Sequence, residues 1–573
     1  MQSREEDDII NIARKYALQN AIQHDGKAVA KSVIGKILAE KNELRSKVKI
    51  VYQIVEEVTQ EINQLSINEQ RKMLEEIAPE LLIKEKKERD FSLPPLPHAE
   101  KGKVVTRFPP EPNGYLHIGH AKAAIIDYEY ARMYDGRFIL RFDDTNPENE
   151  ELRFYQVQRE DLQWLGLEWD EEYNTSDNIE KHYKLALKLI EQEDAYVCTC
   201  KPDSIKENRF RGIACSCRSR SKDENKELWR EMQYNLAPGS AILRLKGDMK
   251  STNTAMRDPT LFRIIDAEHP IQGDKYRVWP TYDFAGAIED SLSGVTHPFR
   301  TKEYELRDEV YFYILERLNL RKPHLMEFSR LAIEGMPVSK RLIKPLIERG
   351  QVHGYDDVRL PTLRGLRRRG ILKETLRQFV LSQGISKVES RVTFDQIEAI
   401  NRKLIDPIAK RFFFVPNPVR MIVKNAPHME KTLKLHPTED LGYRKIKVGD
   451  VFYISKEDAE KLEKSRVIRL KDLYNVQIEE KDDVIISKFA GKELKPEYDK
   501  IQWVTEEGLD MLIYKPDLLF KNGEFNKDSL KEIRGLVEKS IESINEGEIV
   551  QFERFGFVKI ENKEKLVGIF IHK

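Results

Sequence analysis

Residues 107–120 read R-F-P-P-E-P-N-G-Y-L-H-I-G-H, and this stretch decides the fold of its surroundings. The β-rich run 103–108 leads into three prolines that keep the backbone extended, and the Asn113-Gly114 pair predicts a turn. Apolar residues then recur at helical spacing until an Asp-Gly pair at 135–136, and a second β-rich run covers 138–142. The pattern predicts a β-α-β unit whose helix begins near His117.

His117 and His120 stand three positions apart at that helix start, so both side chains lie on one face of the first turn. Unpaired backbone N–H groups and the positive end of the helix dipole favour a phosphate group there. A histidine pair also arises by chance at surface or core positions. The strand-turn-helix context favours an anion-binding site instead.

The same fourteen residues resemble the HIGH motif of class I aminoacyl-tRNA synthetases, in the form used by the glutamyl and glutaminyl branch. Met336-Pro337-Val338-Ser339-Lys340-Arg341 resembles the KMSKS loop of that family, although the first motif lysine is absent. The resemblance implies that His117 and His120 face the ATP phosphates and ribose, and that Lys340 reaches the departing pyrophosphate. It further implies ATP contacts for Glu111, Gly119, Arg330 and Ser339.

This reaction explains why such residues occur together. Attack of an amino-acid carboxylate on the α-phosphorus of ATP gathers negative charge on the phosphoryl oxygens and the pyrophosphate. Preorganised N–H and ammonium donors stabilise that charge more than they stabilise the ground state. No covalent enzyme intermediate is required, and Mg²⁺ shares the phosphate charge, although the sequence does not identify its ligands.

Four further residues match the family's amino-acid pocket, namely Arg107, Asp143, Tyr282 and Arg300. Asp143 matches the residue that holds the substrate ammonium group. At the position of Arg300 the glutamyl branch typically carries arginine and the glutaminyl branch does not. A guanidinium pairs with a side-chain carboxylate through two hydrogen bonds, whereas a neutral amide leaves part of the charge unmatched. The pocket therefore predicts L-glutamate as the substrate, with glutamine as the alternative.

The four cysteines of the chain form a C-x-C-x14-C-x-C array, Cys198, Cys200, Cys215 and Cys217. Four thiolates match a closed tetrahedral zinc site. Disulfides and buried free thiols are the alternatives, because C-x-C is a less usual spacing than C-x-x-C. A reducing cytoplasm disfavours disulfides. The array predicts a structural zinc, since a catalytic zinc normally leaves one coordination position open.

At 573 residues the chain is several domains long. Lysine plus arginine and aspartate plus glutamate both total 97, which excludes a uniformly basic nucleic-acid coat but allows local patches. The N-terminus has no apolar signal region, and no run of about eighteen apolar residues occurs. These features predict a cytoplasmic protein that does not enter a membrane.

We predict a multidomain protein built on an α/β Rossmann-like class I catalytic domain. Residues 1–97 are expected to form a helical extension and a linker, in which the charge run 84–90 precedes prolines 94, 95 and 97. The extension reveals no protein partner. The catalytic domain spans 98–330, with a strand at 295–299 and an inserted acceptor-binding domain at about 178–279. A helical connector at 331–418 and an all-β barrel anticodon-binding region at 419–573 follow.

The resemblance implies ATP-dependent attachment of glutamate to tRNA, in the domain arrangement of archaeal and eukaryotic enzymes of that branch. The basic segment 364–369 either meets tRNA phosphates or is a solvated helix face. A small HIGH-motif nucleotidyltransferase or truncated paralogue would not need the more than two hundred residues after Lys340. A noncatalytic RNA-binding scaffold would have no reason to retain both histidines and the substrate pocket.

Overall fold

The computed structural model describes residues 2–23, 26–41, 44, 48–78, 81, 93–389 and 391–573. It divides into two compact units, residues 1–90 and residues 91–573. The first unit is helical, as the amphipathic pattern predicts. Its helices are α1 (Gln2–Gln23), α2 (Ala30–Glu40), α3 (Val48–Asn63) and α4 (Ile67–Ile77). Val51, Val55, Val58 and Ile62 of α3 are buried at helical spacing, and they form part of this unit's own core.

The proline segment 93–97 belongs to the second unit, which differs from the predicted linker. The side chains of Leu93 and Leu96 are buried in the core of the α/β region. The Tyr130 hydroxyl donates to the Pro94 carbonyl at 2.9 Å, so the segment is held in place. Because the apolar side chains of this segment are buried and this hydrogen bond holds it, the α/β region starts before residue 98. The charge run 84–90 lies outside the described residues.

The predicted β-α-β unit opens the α/β region. Helix α5 begins at Ile118 with His117 as its N-cap, which confirms the predicted helix start. Strands β1, β2 and β3 form a parallel sheet in that order, and β1 and β2 are almost entirely buried, as expected for a sheet covered on both faces. The elements are β1 (Val105–Phe108), α5 (Ile118–Met133), β2 (Arg137–Phe142), α6 (Leu152–Trp164) and β3 (Glu171–Asn174).

The inserted segment forms a four-stranded antiparallel sheet in the order β4-β5-β6-β7. It spans residues 179–280, against a predicted insertion of about 178–279. Its buried side chains share one core with the two helices that follow the insertion. The elements are α7 (Ile179–Glu191), β4 (Ala195–Cys198), α8 (Pro202–Arg211), α9 (Lys222–Tyr234), β5 (Ile242–Leu245), β6 (Thr260–Ile264) and β7 (Val278–Pro280).

The chain then returns to the α/β region through α10 (Tyr282–Leu292), β8 (Phe299–Thr301), α11 (Asp308–Arg317), β9 (Met326–Phe328) and β10 (Ala332–Ile333). The predicted strand at 295–299 is wrong, because the observed strand begins only at Phe299. Pro298 lacks an N–H donor, and the amides of Thr296 and His297 both donate to the Val105 carbonyl instead. These bonds connect the returning segment to β1, while β8 and β9 pair in parallel.

A helical connector follows the α/β region, as predicted. It contains α12 (Lys340–Glu348), α13 (Leu363–Arg369), α14 (Lys373–Gln383), β11 (Arg391–Val392) and α15 (Phe394–Ile405), and β11 pairs with β10. Among the helices of the described residues, none is both long enough and apolar enough to span a membrane.

The C-terminal region contains two seven-stranded sheets and two small two-stranded sheets, β15-β16 and β24-β25. In each seven-stranded sheet the two edge strands are near neighbours in sequence, so the edges approach one another and the sheet is nearly a barrel. The elements are β12 (Lys410–Phe412), β13 (Phe414–Pro416), β14 (Pro418–Lys424), β15 (Met429–Lys434), β16 (Tyr443–Val448), β17 (Val451–Ser455), α16 (Lys456–Glu460), β18 (Val467–Leu470), β19 (Asn475–Lys481), β20 (Ile485–Phe489), β21 (Lys500–Ile501), β22 (Val504–Thr505), β23 (Leu509–Pro516), β24 (Phe520–Lys521), β25 (Glu524–Phe525), β26 (Leu530–Val537), β27 (Ile549–Phe552), β28 (Gly556–Asn562) and β29 (Val567–His572).

The β region begins before the predicted boundary at residue 419. Strand β12 pairs with β27, and β13 pairs with β26. The run 412–414 therefore supplies buried ring side chains to the β cores rather than to the connector.

Strand β29 packs against the connector. Arg369 Nη2 donates to the Ile571 carbonyl at 3.1 Å, and Asn401 Nδ2 lies 3.2 Å from His572 Nε2. The Ile571 side chain is buried in the same core as Leu366 and Ile397. The last strand thus completes a core that the connector helices leave open.

Candidate active site

His117 and His120 form a compact pair at the start of α5. The Gly119 amide donates to Nδ1 of His117 at 3.1 Å, and the His117 amide lies 3.3 Å from Nδ1 of His120. The two rings stack with their centroids 3.8 Å apart. Because each Nδ1 accepts a backbone proton, each neutral ring carries its own proton on Nε2. The pair therefore retains two Nε2–H donors for a ligand.

Both histidines are held in the neutral state. Desolvation, followed by the charges of His120 and Arg330, lowers the pKa of His117 to about 2. Desolvation lowers the pKa of His120 to about 4. The unfolded chain takes up these protons near the ordinary pKa of about 6.5, so lowering the pH below that value destabilises the fold. Near neutral pH the pair acts as fixed dipolar donors.

Gly119 keeps the His117 ring in position. A Cβ at Gly119 would lie 2.9 Å from Cε1 of His117, closer than side-chain carbons approach one another. A side chain there would displace the ring from its stacked arrangement.

The predicted turn at 109–114 joins the two sequence motifs. Gln158 Nε2 on α6 donates to the carbonyls of Glu111 and Gly114, at 3.0 and 2.9 Å. Lys340 Nζ donates to the Asn113 carbonyl at 2.7 Å, although the two residues are 227 positions apart. The Glu111 side chain is exposed beside this turn. The structure thus brings Lys340 to the turn that carries the histidine pair.

Arg330 and Ser339 lie on the segment that leads to Lys340. Arg330 is half exposed and pairs with Glu303 at 2.9 Å. Ser339 is the N-cap residue of α12, and its hydroxyl makes no capping hydrogen bond. Lys122 Nζ on α5 donates to the Ser329 carbonyl at 2.7 Å, which ties the histidine helix to this segment.

A buried ion network lies beneath the predicted amino-acid pocket. Arg107 Nε and Nη2 donate to the two carboxylate oxygens of Asp290, at 3.0 and 3.2 Å, and Nη1 donates to the Phe299 carbonyl at 2.9 Å. Arg141 bridges Asp290 and Asp143, at 2.8 and 2.7 Å. Burial alone would lower the pKa of Arg107, but the Asp290 carboxylate raises it above its ordinary value. Three of the five Arg107 N–H groups are therefore engaged within the protein.

Asp143 lies at the edge of this network. Its Oδ1 accepts from Arg141 and from the Thr175 hydroxyl at 2.9 Å, while its side chain remains partly exposed. The Asp143 amide donates to the Pro110 carbonyl at 3.0 Å. This bond connects the predicted amino-acid pocket to the turn that precedes the histidine pair.

Arg300 is almost fully buried, with 3% of its side chain exposed. Its guanidinium lies 5.7, 5.3 and 5.4 Å from the ring centres of Tyr282, Tyr304 and Tyr311. Within the part of the chain that the structure describes, its Nε has no hydrogen-bond partner. The ring faces favour a cation at this place, and the free Nε leaves one donor for a ligand.

The four cysteines converge in the insertion. Sγ of Cys198 lies 3.8 Å from Sγ of Cys215, and Sγ of Cys200 lies 3.7 Å from Sγ of Cys217. All four sulfurs lie within 4.8 Å of one another. Sulfurs bound to one tetrahedral zinc at about 2.3 Å stand about 3.8 Å apart, so the two closest sulfur pairs already have the spacing of zinc ligands. Arg244 Nη1 lies 3.9 Å from Cys198 Sγ, where its charge would balance the thiolates.

The arginines of α13 pair mostly within the protein. Arg364 Nη2 binds Glu160 at 2.7 Å, Arg368 Nε binds Glu561 at 2.6 Å, and Arg369 Nη2 binds Glu398 at 2.8 Å. These pairs link α13 to α6, β28 and α15. The basic segment therefore connects domains, and Arg367, which lies over the Trp164 ring, is left as its best candidate for a phosphate contact.

Sequence reasoning missed several residues that support the site. They are Lys122, Arg141, Gln158, Asp290, Tyr304 and Asp308. A signal was present for two of them, because Arg141 interrupts an apolar strand and Asp290 follows an apolar helical run. The partners of the others come from distant parts of the chain.

Family comparisons assign the chain in three segments. The family "tRNA synthetases class I (E and Q), catalytic domain" matches residues 103–407. Two families described as "tRNA synthetases class I (E and Q), anti-codon binding domain" match residues 409–494 and 500–561. The matches follow the observed change from the connector to the β region.

Relatives match over nearly the whole chain. A glutamate–tRNA ligase of Nitrosopumilus maritimus (strain SCM1) is 48% identical over 572 residues, covering 99% of this chain and 100% of the relative. A glutamate–tRNA ligase of Pyrococcus furiosus is 46% identical over 582 residues with the same coverage. The crystal structure of a glutamate tRNA ligase from Elizabethkingia meningosepticum has a TM-score of 0.40 and 20% identity, covering 53% of this chain and 70% of that chain.

Proposed function

The chain belongs to the class I tRNA synthetases of the glutamyl and glutaminyl branch, and we propose that it attaches glutamate to tRNA through a glutamyl-adenylate made from ATP. The contact between Lys340 and the Asn113 turn carries this proposal, because it joins the two nucleotide motifs in one site. The near-full-length glutamate–tRNA ligase relatives support glutamate over the glutaminyl alternative.

Adenylate formation uses the two neutral histidines as donors. The Nε2–H groups of His117 and His120 point charge-stabilising dipoles at the α-phosphate, where negative charge grows during carboxylate attack. A neutral donor keeps the same protonation state before and after reaction. Gly119 fixes the ring geometry, and Glu111, which lies on the preceding turn, is proposed to contact ATP.

Lys340 and its neighbours act on the departing pyrophosphate. The Lys340 ammonium, now on the Asn113 carbonyl, exchanges that neutral acceptor for an anionic phosphate oxygen when ATP is present. Arg330 and the uncapped Ser339 hydroxyl are proposed to contact the nucleotide from the same segment. Mg²⁺ binds mainly through substrate phosphates in sites of this kind, so a closed protein cage is not needed.

Arg300 and Asp143 are proposed to bind the two ends of glutamate. Asp143 is the partly exposed carboxylate at the pocket edge and would hold the ammonium group. The Arg300 guanidinium would bind the side-chain carboxylate of the substrate. Tyr282, whose ring lies against the Arg300 guanidinium, would contact that carboxylate as well. Because three of its five N–H groups are already engaged, Arg107 is proposed to support the pocket through Asp290 and through its two remaining N–H groups.

The insertion is proposed to position the tRNA acceptor end, and the two seven-stranded sheets are proposed to bind the anticodon. Unstacked RNA bases are recognised by aromatic stacking and edge hydrogen bonds. A cytoplasmic location is proposed with this role.

Aminoacylation of total tRNA tests the proposal directly. The purified protein, ATP and each of the twenty amino acids are incubated separately with total tRNA, and acid-stable product is measured. We expect charging with glutamate. Charging with glutamine alone would indicate a glutaminyl-tRNA synthetase. Charging with neither amino acid would overturn the proposed reaction.

We further propose that the cysteine cluster holds one structural zinc, and we expect about one equivalent in protein never exposed to chelator. Cys215→Ser is expected to lose the metal and lower the melting temperature of the insertion before it weakens ATP binding. Ser216→Ala, which changes the neighbouring residue but no sulfur, is the matched control. Elemental analysis with well below one equivalent in the unmodified protein would contradict the assignment.

A further inference from the structure

A carboxylate already occupies one side of Arg300. Asp308 Oδ1 lies 3.5 Å from Arg300 Nη1, beyond normal hydrogen-bond length, and no N–H or hydroxyl group of the described residues donates to it. The Arg300 side chain is nearly sealed from solvent, whereas 26% of the Asp308 side chain is exposed. Arg300 is thus neutralised loosely, by a group that reaches water.

Other charges near Asp308 are matched by different partners. Glu327 lies opposite Arg300 in the β8–β9 register, is buried, and pairs with Lys387. Lys387 also lies 3.5 Å from Glu305. Tyr282, Tyr304 and Tyr311 supply the remaining polar groups around the guanidinium. Among these groups only Asp308 balances Arg300.

Five cations around the pocket have carboxylate partners before any substrate binds. The pairs are Arg107–Asp290, Arg141–Asp143, Arg307–Asp283, Lys387–Glu327 and Arg300–Asp308. Glutamate brings two carboxylates and one ammonium group. Its arrival adds one negative charge to a largely buried site, where an unmatched charge is costly.

We propose that Asp308 is the resident counter-ion of Arg300 and takes up one solvent proton when the substrate's side-chain carboxylate replaces it. The inference rests on the proposed binding of glutamate by Arg300. It makes Asp308 a second specificity-determining residue, because a neutral glutamine side chain adds no charge and triggers no protonation.

The surroundings of Asp308 prepare it for this exchange. Burial raises the pKa of Asp308 to about 6 against the charges of Arg300 and Lys387, and both the charge of the nearby Glu327 carboxylate and a hydrogen bond to it add to the rise. When the substrate carboxylate binds Arg300, the positive charge of Arg300 is shared between that carboxylate and Asp308. The substrate also brings a new negative charge close to Asp308. Both changes raise the Asp308 pKa further, so the bound state holds more protons than the free state above pH 6.

The sign of the pH dependence follows from this difference. Below about pH 5 Asp308 is protonated in both states, and binding takes up no proton. Between pH 6 and 8 glutamate affinity falls as the pH rises, by at most about tenfold per pH unit for one coupled proton. Asp308→Asn removes the group that takes up the proton, so its glutamate affinity is expected to be independent of pH over that range. Relative to the unmodified protein, the affinity of this variant should be increased most at pH 8.

Calorimetry with two adenylate analogues tests the proposal. Non-hydrolysable glutamyl- and glutaminyl-sulfamoyl adenosine are titrated at pH 7.5 in buffers of different ionisation enthalpy, which reports protons exchanged. The two analogues share the same α-amino group, so its titration cancels in their difference. We expect the glutamyl analogue to take up about one proton more than the glutaminyl analogue.

The variants separate Asp308 from its neighbours. Asp308→Asn is expected to abolish the difference while still binding the glutamyl analogue. Glu327→Gln, which removes the nearby like charge, is expected to shift the uptake to lower pH. Asp499→Asn, which removes an exposed ion-paired carboxylate in the β region, is the matched control.

The outcomes distinguish this inference from the proposed function. Equal uptake by both analogues, or an unchanged difference in Asp308→Asn, overturns the role of Asp308 while leaving glutamate binding intact. Preferential binding of the glutaminyl analogue by the unmodified protein overturns the proposed substrate itself.

Discussion

Replacement of His117 or Lys340 by alanine is expected to lower the rate of adenylate formation by about a hundredfold to a thousandfold, the effect of losing one preorganised donor to transition-state charge. His117→Ala removes an Nε2–H donor together with the acceptor that caps the Gly119 amide. Lys340→Ala removes the ammonium group that lies on the Asn113 carbonyl. The measurement is single-turnover formation of glutamyl-tRNA, with tRNA binding measured in parallel and expected to change far less.

Two controls match these variants in residue type. Lys344→Ala alters an exposed lysine one turn further along α12, whose only ion pair is to Glu348 among the described contacts. His353→Ala alters an exposed histidine in the connector. Both controls should retain normal rates. Near-normal charging by His117→Ala or Lys340→Ala would remove these residues from the proposed chemistry.

Arg300→Cys is expected to lower kcat/KM for glutamate by roughly thirtyfold to several thousandfold. Removing one partner from a buried ionic pair typically costs about 2 to 5 kcal/mol, and about 1.4 kcal/mol corresponds to a factor of ten. The loss for glutamine should be smaller, or kcat/KM for glutamine should rise. Selectivity need not reverse fully, because the tyrosines around Arg300 and the tRNA contacts remain.

The decisive quantity is the ratio of the two specificity constants, measured with the same tRNA. Arg317→Cys is the matched control, since it changes a partly exposed arginine of α11 that pairs with Asp194. An unchanged ratio in Arg300→Cys would remove Arg300 from substrate selection and reopen the glutaminyl alternative.

The elements around the histidine pair were predictable because their signals are local. A turn, a helix start and an apolar periodicity all fall within about forty residues, and the helix begins where they indicate. The strand predicted at 295–299 failed largely through one residue, because the run contains Pro298, which cannot donate to a neighbouring strand. Local composition does not reveal which amides will find a different acceptor.

The candidate site could be predicted only in part from the sequence, because the partners of its residues lie far away along the chain. Residue types at motif positions identified Arg107, but its partner Asp290 lies 183 positions away and occupies the donors expected for substrate. The arginines of α13 likewise form ion pairs with carboxylates from other domains. Charge in a sequence indicates a need for a partner, and only the tertiary fold determines whether that partner is a ligand or another side chain.

The packing of β29 on the connector has a consequence for how the chain folds. The bond from Arg369 to the Ile571 carbonyl closes a loop of 202 residues, and contacts of such separation form late and slowly. During synthesis, the core that contains Leu366 and Ile397 remains incomplete until β29 has been made. A fragment ending near residue 410 would expose this apolar surface and is expected to aggregate, whereas co-expression of the β region should restore its solubility.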